Sequence, residues 1–154
     1  MKKTLADPSA KAEIAERLVR LAPDTPRRWG KMTAHQTVCH LNDSLLVAMG
    51  AMKTADKSNL FSRKVMKWGA LHVPIQWPKG VATVPELDQS AGAGTPPGVF
   101  AADVATLVQF MDRFAASKRD FQFAPHPTFA EMSEWEWMRW GYLHADHHLR
   151  QFGL

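Results

Sequence analysis

The sequence predicts an all-α fold: a four-helix bundle with a long irregular connection between the second and third main helices. Three observations carry this. Apolar residues recur at a helical period of about 3.6 in several long segments. Capping signatures of the S/T-x-x-E/Q type stand directly before two of those segments. No alternating run long enough for a trustworthy strand lies between them.

The elements follow in order. Asp7 can cap a first helix and Pro8 suits its first position. Ala10, Ile14, Leu18, Leu21 and Ala22 then keep the period, giving a helix over 7–22 that "APDTPRRWGKM" ends. Thr33 and Gln36 form a capping box for a second helix over 33–52. "MKTADKSN" breaks the chain. "LFSRKVMKWGALHV" reads as a short helix with Phe61, Val65, Trp68 and His72 on one side, stopped by Pro74 and Pro78. Residues 76–98 hold four prolines and four glycines, an irregular connection long enough to suggest a lid. Val104, Leu107, Val108, Met111 and Phe114 define a third main helix over 101–117. Ser133 and Glu136 start the last, over 133–152, with Gly153 as its stop.

Composition narrows the function classes. A chain of 154 residues is one domain's worth, 1–154, with room for a sizeable core. Its 45% apolar and 22% charged content is ordinary for a globular protein. The net charge is +4, and the one basic cluster, Lys53, Lys57, Arg63, Lys64 and Lys67, lacks interleaved reading residues. It reads as a solvated helix face, and no nucleic-acid partner is expected. Cys39 is the single cysteine, so no intrachain disulfide can form. No apolar stretch suits a secretory signal or a membrane span, and a cytoplasmic location is the expectation.

Chemistry concentrates in "YLHADHHLRQ", residues 142–151, which holds three of the seven histidines. Either this is a solvated polar face or it is half of a metal site. With about 100° per residue and His144 at zero, His148 falls at about 40°, Trp137 at about 20° and Gln151 at about −20°. The charged residues Glu136, Arg139, Asp146 and Arg150 lie at roughly 200–280°. His144 and His148 therefore flank the core stripe, while His147, at about −60°, lies nearer the polar boundary. An H-x-x-x-H pair puts Cβ atoms about 5–6 Å apart, a span that can chelate one ion. The glutamate of the helical metalloprotease motif is missing, since Ala145 follows His144, so a protease reading fails. Catalytic sites usually take a third protein ligand. His40, on the second helix, shares a side with Ser44, Val47 and Ala51 and is the inward-facing candidate. Bundles build metal sites from facing helices in this way. From the residues alone, an incidental pair and a metal site both remain open.

"GKMTAHQTVCHLNDSL" and "HPTFAEMSEWEWMRWGYLHADHHLRQFG" resemble the DinB-like superfamily, which includes bacillithiol transferases and mycothiol-dependent maleylpyruvate isomerase. The resemblance runs from about Trp29 to the end, and is to a branch of mostly small bacterial proteins with no settled reaction. It implies a four-helix bundle and a metal triad falling on His40, His144 and His148. It also implies zinc, nickel or iron as the divalent metal, and a homodimer. It assigns no substrate, and the middle loop matches nothing in the pattern.

Other polar residues have plainer expectations. His147 reads as a surface residue or a support to the ligands. Gln151 could hold a ligand in place or simply end the helix. Asp43 reads as a helix-surface carboxylate. Cys39 lies about 100° from His40 around the helix and reads as buried and inert. His35 is expected to be exposed; His72 and His126 are ordinary residues in or beside breaks. Trp135, Trp137 and Trp140 are packing, some of them walling a cavity.

Two functions fit. One is a metal-dependent enzyme in which three neutral imidazoles hold a divalent ion and leave positions open for a small-molecule substrate. By resemblance its nucleophile is a low-molecular-weight thiol and its reaction an S-transfer or isomerisation. The alternative is a non-catalytic bundle that binds a metal or small ligand and acts as a dimer. An open coordination position favours the first; the lack of an assignable general base favours the second.

Overall fold

The computed structural model describes residues 2–154. Five α-helices form: α1 (Pro8–Val19), α2 (Ala34–Ala48), α3 (Lys67–His72), α4 (Phe100–Ala115) and α5 (Glu134–Arg150). The described residues contain no strand, only an isolated bridge between His126 and Ala130. The expected all-α class is what the chain adopts.

The capping signatures do what their chemistry requires. Asp7 accepts from the Ser9 amide at 3.0 Å. Thr33 accepts from the Gln36 amide at 3.2 Å while Gln36 returns its side chain to the Thr33 amide at 2.9 Å. Ser133 and Glu136 repeat the exchange at 3.2 and 2.7 Å. Each box satisfies two amides that the helix start leaves free.

The end of α2 departs from expectation. It stops at Ala48, not at 52. Gly50 turns left-handed (φ 76°), its amide bonds the Val47 carbonyl, and the Ala51 amide bonds the Leu46 carbonyl. That pair of bonds is the glycine stop of a helix, reached where no proline marks it.

The four longer helices close a ring of neighbours: α1 packs on α4 and α5, and α2 packs on α4 and α5. Their shared interior contains Ile14, Leu18, Val38, Leu41, Leu45, Leu107, Met111, Phe114, Trp137, Met138 and Leu149. α2 is covered on nearly every side. Residues 76–98 complete its enclosure through two short 3₁₀ turns, Pro85–Leu87 and Gln89–Ala91, that lie against it.

The short helix forms, but through an unexpected geometry. A π-helical turn, Ser62–Met66, leads into α3. Ser62 faces inward, donating to the Thr128 carbonyl at 2.7 Å, and Leu71 is buried. Phe61, Val65 and Trp68 face solvent, at 60%, 56% and 62% exposure.

Candidate metal centre

α2 and α5 meet at three imidazoles. His40 comes from the middle of α2; His144 and His148 come from successive turns of α5. Nε2 of His144 lies 3.2 Å from Nε2 of His40 and 3.2 Å from Nε2 of His148. The three rings together offer ligand nitrogens within 4.8 Å of one another. A tetrahedral ion with bonds of about 2.0–2.1 Å sets its nitrogens roughly 3.3 Å apart.

The outer nitrogens explain why the inner ones converge. Nδ1 of His40 donates to the Leu87 carbonyl at 3.0 Å. Nδ1 of His148 donates to Oε1 of Gln151 at 2.7 Å. Both partners are acceptors, so a neutral ring with its proton there presents a bare lone pair at Nε2. His144 has one Nε2 between two bare nitrogens, and a single proton cannot serve both well. A cation satisfies all three, so the residues present fit a divalent metal. Imidazole donors suit zinc, iron and nickel.

Burial keeps the rings neutral. It pushes the His148 pKa well below its ordinary 6.5, with the nearby His40 adding to the shift. It pushes His144 well below 6.5 as well, helped by His148 and His40. His40 is lowered by burial against the opposing pull of the Leu87 carbonyl. Neutral imidazole is the form that binds metal.

The site has one softer side. His40 and His148 are buried, whereas His144 is only half-buried. Trp140 stacks on His144 at 4.7 Å, and Trp77 tilts over His144 at 6.2 Å and His147 at 5.9 Å between ring centres. Trp77 and Leu87 both belong to the 76–98 connection, so that segment roofs the histidines and supplies one of their acceptors.

Several expectations need correction. Asp43 is not a surface carboxylate but fully buried. It accepts from the Thr95 amide at 2.8 Å, the Thr95 hydroxyl at 2.6 Å and Gln89 at 3.2 Å, strapping the connection to α2. Gly94 permits this approach: a Cβ there would lie 2.5 Å from Oδ2 of Asp43. His35 is half-buried, with Nε2 2.6 Å from Asp103 on α4. His147 is buried, because Trp29, ahead of α2, packs edge-on against it at 4.8 Å. His126 stacks on Phe129 at 4.6 Å, and its Nδ1 accepts the Thr128 and Phe129 amides. Cys39 is buried and unbridged, as expected. Gln151 takes the supporting role of its two readings. Leu87, Trp29 and Trp77 escaped the sequence reading. A backbone acceptor leaves no sequence signal, though a tryptophan between Pro74 and Pro78 could have marked the roof.

The family model described as "Protein of unknown function (DUF1569)" matches residues 2–153. The chain belongs to this family. The DUF1569 match spans α1 to α5 and so includes all three histidines and the connection that roofs them. No curated protein and no solved structure matches the chain. No helix among the described residues is long and apolar enough to cross a membrane.

Proposed function

We propose that this chain is a metal-dependent enzyme, a single helical domain whose His40, His144 and His148 would hold a divalent zinc, nickel or iron ion. The observation that carries the reading is the convergence of three Nε2 atoms, two of them on rings whose outer nitrogens are already engaged. When bound, the ion would supply Lewis acidity to a small nucleophile. The chain's own residues do the rest. Leu87 and Gln151 fix two rings, and Trp140 orients the third. Trp77 covers His144 and His147 from the side of the connection. The resemblance to the DinB-like superfamily supports a low-molecular-weight thiol as the nucleophile and an S-transfer or isomerisation as the reaction. It also supports a homodimer.

The test is metal analysis of untagged protein, followed by thiol-transfer assays with and without chelator. The reading expects one divalent ion per chain and turnover that disappears with chelator and returns with metal. Metal-free protein that gains no ion on reconstitution would sink it. A second reading, a non-catalytic binding protein acting as a dimer, draws on a specific feature. No carboxylate bonds any of the three rings among the described residues. Stoichiometric metal without turnover would favour that reading.

A further inference from the structure

A cleft opens beside the histidine cluster, walled by the side chains of Arg28, Trp29, Gln76, Trp77, Lys79 and Arg150 and closed at one edge by Gly153 and Leu154. Three of the eight lining residues, Arg28, Lys79 and Arg150, carry cationic side chains and none carries an acidic one. Arg150 is held by Asp146 at 2.9 Å. Arg28 and Lys79 have no carboxylate partner among the described residues; the Lys79 ammonium sits 5.9 Å from the Trp29 ring centre. The Arg28 guanidinium lies across Gly153, where any Cβ would collide with it. The cleft is joined to the cluster in three ways. The Arg28 amide bonds the backbone carbonyl of Gln151 at 2.6 Å, and the Gln151 side chain holds His148. Trp77 faces both the cleft and His144. His147, packed between Trp29 and Trp77, keeps a buried Nδ1 without a hydrogen-bond partner.

We infer that this cleft is an oxyanion subsite, taking the carboxylate or phosphate of a small molecule whose flat body lies along the Trp29 and Trp77 walls. Its role as a substrate subsite rests on the metal-dependent reading above. Unpaired guanidinium and ammonium groups recognise oxyanions, the guanidinium by paired donors. Indole faces add contact for a planar body without demanding a particular sequence of polar groups. An uncharged ligand of the same shape leaves both cations unmatched.

Isothermal calorimetry of the full chain tests this with benzoate and phenyl phosphate, and with benzamide as the uncharged counterpart. At least one of the two anions should bind once per chain, and which of them binds separates carboxylate from phosphate recognition. Benzamide should bind about tenfold more weakly or worse, and Arg28→Ala and Lys79→Ala should each weaken the anion by about tenfold. Raising the salt should weaken the anion and spare benzamide, a comparison that needs no variant. Absence of heat with both anions, equal binding of benzamide, or indifference to both substitutions overturns the subsite. Zinc binding is measured on the same samples. Zinc without anion binding rejects the cleft alone, and anion binding without zinc rejects the metal centre alone.

Discussion

Two groups of metal-type donors are adjacent on α2, Cys39 of one preceding His40 of the other, and they have opposite character. His40 joins His144 and His148; His35 and Cys39 join Asp103. In the second group the donors satisfy each other. Asp103 takes His35 at 2.6 Å, the Gly98 amide at 3.0 Å and the Cys39 thiol at 3.9 Å on one oxygen, Oδ2. The hydrogen bond from His35 holds the Asp103 carboxyl below its ordinary range. Burial and the facing carboxylates push the Cys39 thiol up to about 11, keeping it protonated and a poor ligand. In the first group no such closure exists. The outer nitrogens of His40 and His148 are engaged, the three inner nitrogens are all of one kind, and no cationic side chain among the described residues bonds them. Donor identity alone does not make a metal site; what matters is whether the donors have already spent their lone pairs on one another.

The largest expected effect breaks the first group. His40→Ala, His144→Ala or His148→Ala should each weaken zinc affinity by more than about 100-fold, beyond the range for a supporting residue. His147→Ala should cost far less. Titration with circular dichroism as a folding control measures this, and the variants should stay folded because the apolar core does not depend on the ion. Equal losses at 147 and 148 would mean the ligands have been misassigned.

A half-buried histidine outside both groups supplies the next contrast. Burial lowers the His126 pKa from 6.5 to about 4. Its folded pKa therefore lies below its unfolded one, so its contribution is fully present above pH 6.5 and is lost as pH falls toward 4. The loss should reach about 3 kcal/mol. His126→Asn keeps an acceptor for the Thr128 and Phe129 amides, so it should flatten this acid limb and leave zinc affinity alone. Denaturant melts at pH 7 and 4.5 check it; an unchanged slope would remove His126 from the account.

Gln151→Ala should cost zinc affinity about 10–100-fold, because the His148 ring loses the acceptor that sets its tautomer. The smallest effect belongs to the second group. Asp103→Ala should lower stability by about 1 kcal/mol and leave zinc affinity unchanged, since a partly exposed side-chain hydrogen bond contributes little. A zinc loss in that variant would show that the second group takes part in metal binding.

The elements and the three histidines were legible because both follow from helix phase. Ala10, Ile14 and Leu18 recur with the period that buries them, and the same 100° rule places His144 and His148 on one flank. What stayed hidden depends on contacts distant in sequence. Asp43 looked like a surface carboxylate because its partners, Gln89 and Thr95, reach it from a connection with no periodicity. His147 lies off the ligand phase, and only Trp29 and Trp77 bury it. Gly50 gives little sign of a helix stop in the sequence, because its small and apolar neighbours would continue a helix.

The central claim is that the metal belongs to the histidine group and not to its neighbour on α2. X-ray absorption spectroscopy of zinc-loaded protein tests this most directly, because sulfur and nitrogen scatter at distinct distances. The account predicts three imidazole nitrogens at about 2.0–2.1 Å and no sulfur. A scatterer at about 2.3 Å, the zinc–thiolate distance, would place the ion at Cys39 and contradict it.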